Sequence, residues 1–154
     1  MKERGTKDNQ LELEVKAKLE NLAVMDDFVA ESMKQLGMKK GVTLQVRLAV
    51  SEACTNIIQH AYSGESEEPI IILCSMSGND LVIEIRDWGK PFDPDSVPQP
   101  DTESELLERK EGGIGIFLLR QMMDDVRYVF RAGRYNELRM IKHIHQEDQE
   151  EGWN

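Results

Sequence analysis

Leu11, Leu13 and Val15 alternate with Glu12, Glu14 and Lys16, so one side of an extended segment can meet a core while the other meets water. The apolar period then changes. Leu22, Val24, Met25, Phe28, Val29 and Met33 recur at helical spacing, and Gly37 stands where a helix commonly stops, which predicts a helix over about 21–36. Val46, Ala49, Val50, Ala53 and Ile57 repeat that spacing and predict a second helix over about 42–61. Residues 70–76 and 81–86 read as strands joined by the turn Ser77-Gly78-Asn79-Asp80. Helical spacing resumes in Ile114, Phe117, Leu118, Met122 and Met123, and 126–130 and 138–144 close the pattern as two strands with Gly133 at their turn. Between them, residues 93–111 are rich in proline and charge, too long for a plain connection, and are expected to form a lid. The order predicts an α+β two-layer sandwich: a five-stranded mixed or antiparallel sheet with three helices on one face.

The totals narrow this picture. A chain of 154 residues suits a single domain, expected over 10–145, with charged flexible tails at 1–9 and 146–154. Lys and Arg number 19 against 29 Asp and Glu, and the formal charge of −10 opposes direct binding to nucleic acid or an anionic membrane. No apolar run approaches the roughly 20 residues that cross a bilayer, and the first residues carry no signal-peptide segment, so a cytoplasmic protein is expected. Cys54 and Cys74 have neither CxxC spacing nor neighbouring metal ligands and read as reduced, buried hydrophobes.

Candidate chemistry gathers in three boxes. Glu52, Asn56 and His60 follow one another in four-residue steps along the second helix, beside its apolar side. Asp87 ends a strand pattern and opens Asp87-Trp-Gly89-Lys-Pro-Phe-Asp93, while Gly112-Gly113-Ile114-Gly115 opens the third helix. A carboxylate fixed at a strand end can accept from the exocyclic amine of adenine, Gly89 lets the backbone approach the base, and Pro91 and Phe92 can stiffen and floor the turn. An Asp-x-Gly step is also an ordinary turn. The glycine run offers backbone N–H groups and a helix start to phosphate oxygens, without the Lys-Ser or Lys-Thr of a P-loop, and a capping or hinge role is the alternative. A triphosphate beside so many carboxylates calls for a divalent ion. Asn56 can ligate Mg²⁺ without adding charge, and Glu52 one turn away can take a proton from a hydroxyl or water. The plain alternatives are a Glu52–Arg47 ion pair and a His60 buried against backbone.

With these boxes in order, residues 10–145 resemble the ATPase fold shared by gyrase, the Hsp90 chaperone, histidine kinases and MutL, in particular its anti-sigma-factor serine kinase branch. The similar segments are Val50–Tyr62, Arg86–Asp93, Gly112–Leu119 and the Met123-Asp-Asp-Val126 step. The resemblance implies ATP and Mg²⁺ as cofactors, Glu52 as general base, Asn56 as metal ligand, Asp87 as adenine anchor, and Gly89, Gly113 and Gly115 as points of backbone approach. It also implies phosphorylation of an antagonist protein, sequestration of a sigma factor and a homodimer. Pro91 stands where the wider superfamily often has a second glycine. Glu111 stands where some relatives carry an arginine that reaches the terminal phosphate, with Arg109 and Lys110 just upstream. A nucleotide-gated binding module without transfer is the alternative function. A detached histidine-kinase domain ranks below both, because no helical hairpin with a phosphoacceptor histidine precedes the fold.

Overall fold

The structure is a computed structural model that describes residues 10–92, 119–131 and 133–150, together with the backbone of residues 2–5. Six strands form one antiparallel sheet: β1 (Lys2–Gly5), β2 (Leu11–Lys16), β3 (Pro69–Ser77), β4 (Asp80–Asp87), β5 (Asp125–Phe130) and β6 (Asn136–His143), in the spatial order β1-β2-β3-β4-β6-β5. Two long helices, α1 (Leu22–Gln35) and α2 (Lys40–Asn56), cover one face, and residues 119–122 are also helical. The expected α+β sandwich is therefore present, and its sheet is wholly antiparallel.

Register explains which face is buried. Leu13, Ile72, Ile85, Leu138 and Tyr128 are successive partners across five strands, and so are Leu11, Cys74, Ile83, Met140 and Val126. Because side chains alternate faces, both rows point to the helices, where Met25, Phe28, Val29 and Met33 of α1 and Val46, Ala49, Val50 and Ala53 of α2 meet them as one core. Gly37 takes φ +79 just after α1, the left-handed position that ends the helix. The opposite face carries an ionic row instead. Arg86 donates to Glu84 and Glu137, and Arg139 donates to Glu84.

Three features differ from the sequence expectation. β1 is a sixth strand, where residues 1–9 were expected to be a loose tail. Its residues are polar and charged, so no apolar alternation announces it, but it pairs the backbone edge that β2 would otherwise leave bare. Beyond β6, Gln146–Asp148 form a 3-10 turn, and Gln149 pairs with Met38, so the chain stays ordered against α1's end past the expected boundary. Finally, the second helix does not stay α-helical to residue 61. Its last stretch, Ile57–Ala61, is a π-helical turn.

Candidate active site

The end of β4 places Asp87 on the helix-covered face, because it shares the parity of Ile83 and Ile85, and pairs it with Asn136 at the start of β6. Asp87 is only 2% exposed. Its Oδ1 accepts from the Gly89 backbone N–H at 2.9 Å and from Asn136 Nδ2 at 2.8 Å, while Asn136 Nδ2 also donates to the Gly89 carbonyl at 3.0 Å. No described residue donates to Oδ2. Burial pushes the Asp87 carboxyl above its ordinary value, and the two hydrogen bonds work against that rise. The result is a rigid carboxylate with one oxygen held in reserve for a donor.

Opposite it stands the end of α2. Asn56 is 1% exposed, and both its Oδ1 and its Nδ2 lack a hydrogen-bond partner among the described residues. A buried carboxamide left unpaired costs roughly 1–3 kcal/mol, so such a group in a folded chain points to a ligand or ion that completes it. The π turn begins at the next residue, and π turns recur at functional sites. Its last residue docks on the Asp87 loop: Lys90 N donates to the Ala61 carbonyl at 2.7 Å. A Cβ on Gly89 would lie 2.6 Å from both the carbonyl carbon and the carbonyl oxygen of Ala61. Gly89→Ala must therefore part the loop from the turn, and we expect a loss of about 2 kcal/mol or more, by the usual cost of overpacking, in urea unfolding. A variant as stable as the parent would contradict this contact.

Glu52, one turn before Asn56, is half-buried, and among the described residues it has no hydrogen bond or ion pair. The alternative partner is engaged elsewhere, since Arg47 holds Asp26 through two hydrogen bonds of 2.9 and 2.7 Å. Burial alone raises the Glu52 carboxyl above its usual range. With the folded value above the unfolded one, stability is fully present while Glu52 is protonated and is lost as pH rises through the raised value. Glu52→Gln is therefore expected to melt above wild type at neutral pH, with the gap closing below about pH 4, where a free glutamate is itself protonated. A thermal melt series against pH reads this directly; a variant that melts lower at neutral pH overturns it.

Ala53, Asn56, Ile57, Asp87, Phe92, Leu119, Tyr128 and Leu138 line one cleft. Asn56 and Asp87 thus face the same space. Phe92 closes its edge between His60 and Tyr128, with ring centroids 5.5 and 5.8 Å away, and its N–H donates to the Tyr128 hydroxyl at 3.3 Å. His60 itself is exposed, contrary to the reading of a histidine buried against backbone, and it lies within the π turn. Among the described residues no group of three or more His, Cys, Asp or Glu side chains could cage a metal, so an ion at Asn56 would lean on oxygens of a ligand and water. Gly112, Gly113, Ile114, Gly115, the expected lid over 93–111, and Arg109, Lys110 and Glu111 lie outside the described residues. Leu119 is fully buried and lines the cleft.

Sequence reasoning missed Asn136 and Tyr128. Asn136 lies two residues ahead of the strand start expected at Leu138. Extending that strand by one period would have set it opposite Asp87. Tyr128 fell inside an expected strand, where only its apolar side was considered. No described helix is long and apolar enough to cross a membrane.

Comparison with known proteins supports the fold. The model of the histidine kinase-like ATPase domain matches residues 15–142. The serine-protein kinase RsbW of Bacillus thuringiensis (strain Al Hakam) is 30% identical over 149 residues, covering 94% of this chain and 91% of that protein. RsbW of Bacillus velezensis is 28% identical over 133 residues, covering 84% and 83%. Among solved structures, the SiaB-SiaC complex of Pseudomonas aeruginosa gives a TM-score of 0.61 at 9% identity, covering 84% of this chain and 87% of that one. The RsbU and RsbW domains of a Mycobacterium tuberculosis protein give 0.60 at 14%, covering 86% of this chain and 32% of that one. At these identities the two structures speak for the fold.

Proposed function

We propose that this chain, which belongs to the histidine kinase-like ATPase domain family, is an ATP-dependent serine protein kinase that phosphorylates an antagonist protein and sequesters a sigma factor. The observation that carries the proposal is the orphaned Asn56 carboxamide facing the same cleft as the unengaged oxygen of Asp87. Bound Mg²⁺·ATP supplies the phosphoryl donor. Asp87 accepts from the adenine amine, and Asn136 fixes the rotamer of that carboxylate while bracing the Gly89 carbonyl. Gly89 keeps the loop close to the π turn, and Phe92 bounds the cleft. Asn56 gives its side-chain oxygen to Mg²⁺ without adding charge. The glycine run, Gly112, Gly113, Ile114 and Gly115, offers backbone N–H groups to the phosphates. Glu52 accepts the proton of the attacking serine hydroxyl as the serine oxygen bonds to the γ-phosphorus and the bond from that phosphorus to the β,γ-bridging oxygen breaks to release ADP, and burial, by raising its affinity for protons, strengthens it as a base.

The relatives named serine-protein kinases support transfer to a serine, and the family model supports ATP as donor. Cytoplasmic location and a homodimer belong to the same proposal. The test is incubation of the purified chain with Mg²⁺, γ-labelled ATP and a candidate antagonist protein. Labelled phosphoserine on the antagonist is the expected product. One sequence feature favours a second reading: Glu111 stands where some relatives have a phosphate-reaching arginine, as a nucleotide-gated binding module would tolerate. ATP-dependent capture of the partner with no phosphoprotein formed would decide for that module and against the kinase.

A further inference from the structure

A second cleft, of about 150 Å³, opens at the tip of the β5–β6 hairpin, lined by Trp88, Gly89, Phe130, Arg131, Gly133, Arg134, Tyr135 and Asn136. Of these residues the kinase reading uses only Gly89 and Asn136, whose Nδ2 donates to Asp87 of the first cleft. Trp88 is 40% exposed and Phe130 is 55% exposed, an unusual outlay of aromatic surface for a chain whose other exposed large hydrophobics are three leucines among the described residues. The site is stiff. Arg131 N donates to the Tyr135 carbonyl at 3.1 Å, Arg134 N donates to the Arg131 carbonyl at 2.9 Å, and Gly133 adopts φ +75 to close the turn. The Tyr135 ring lies 6.0 Å from the Trp88 ring, with the Arg86 guanidinium 4.9 Å from its centroid.

Charge sets the cleft apart from the rest of the surface. The chain carries a formal −10, yet the hairpin tip presents Arg131 and Arg134. Arg131 reaches Glu137 only at 3.6 Å, and that carboxylate is already engaged by Arg86 at 3.2 Å. Arg134 has no side-chain partner among the described residues. Exposed aromatics beside an uncommitted arginine are the composition of a protein-interface anchor. Nucleic acid is the poorer match, since a net charge of −10 repels a phosphate backbone and two guanidinium groups cannot track one.

We infer that this cleft is a docking site for a short acidic segment of a partner protein, with an apolar side chain of that segment against Trp88 and Phe130 and its carboxylates on Arg131 and Arg134. This inference does not depend on the kinase reading, because none of its contacts involves phosphate, metal or the Glu52–Asn56 line.

The test uses the full-length ¹⁵N-labelled chain and follows the Trp88 indole N–H by NMR, distinguished from that of Trp153 with Trp88→Phe. The probe is a synthetic hexapeptide of alternating glutamate and leucine; its glutamine counterpart and a short oligothymidylate serve as competitors. A saturable shift with the acidic peptide is expected, weakened about tenfold or more by Arg134→Glu and by Phe130→Ala, two exposed positions whose variants should keep the parental circular dichroism. Binding that Arg134→Glu leaves unchanged, equal binding of the glutamine peptide, or absence of a saturable shift overturns the inference. Tighter binding of oligothymidylate reassigns the cleft to nucleic acid. Shifts that follow protein concentration alone reassign it to a second copy of this chain.

Discussion

Glu52→Gln is expected to lower the rate of serine phosphorylation by about 10²–10⁴-fold, the usual contribution of a positioned general base, while leaving Mg²⁺·ATP affinity nearly unchanged. The substitution keeps the shape of the side chain and removes only its capacity to take a proton. Glu52 has no partner among the described residues to lose, so the variant should not rearrange the end of α2. The wild-type rate should rise with pH through the Glu52 ionisation, at a point above the ordinary glutamate range because burial disfavours the carboxylate. That limb should vanish in the variant. Single-turnover transfer measured across pH, with nucleotide affinity measured alongside, separates the base from a residue that merely binds. Transfer by Glu52→Gln at the parental rate would remove Glu52 from the mechanism.

Asp87→Asn is expected to weaken adenine nucleotide binding by roughly 10–150-fold, the equivalent of the 1.5–3 kcal/mol carried by a hydrogen bond to a charged acceptor. Asn can still present an oxygen to the Gly89 and Asn136 donors, but its own NH₂ then faces the adenine amine, donor against donor. The fold should tolerate the change. Burial raises the Asp87 carboxyl, so ionising it at neutral pH costs the native state, and the amide relieves that cost. Apo stability at pH 7 should therefore match or exceed the parent while nucleotide binding falls. A variant that lost both together would show Asp87 to be a structural residue.

Much of this geometry was legible in the residue pattern, and the exceptions have physical causes. The two rows running through Leu13 and Leu11 are apolar because they face the helices, so period-two alternation located every strand that buries a side. β1 escaped because it contributes backbone pairing with polar and charged residues, and pairing leaves no mark on composition. Helical spacing brought Glu52 and Asn56 to one line correctly, and the burial of Asn56 followed from its apolar neighbours. The π turn that holds His60 was not foreseen, because an i→i+5 turn cannot be read from residue types. Asp87 was found from its position at the end of an apolar run. Asn136 was not, since a polar residue opening a strand resembles a turn until register sets it beside Asp87. The same limit hid the second cleft, whose aromatic residues Trp88, Phe130 and Tyr135 come from three separate strand ends.

The central claim is that the end of α2 and the end of β4 enclose a purine nucleotide with its metal. Calorimetric titration of ATP into the purified chain, first with Mg²⁺ and then with excess chelator, tests it most directly. The account predicts one saturable site per chain with Mg²⁺ and markedly weaker binding without it. Absence of a saturable signal in the presence of Mg²⁺ would contradict it.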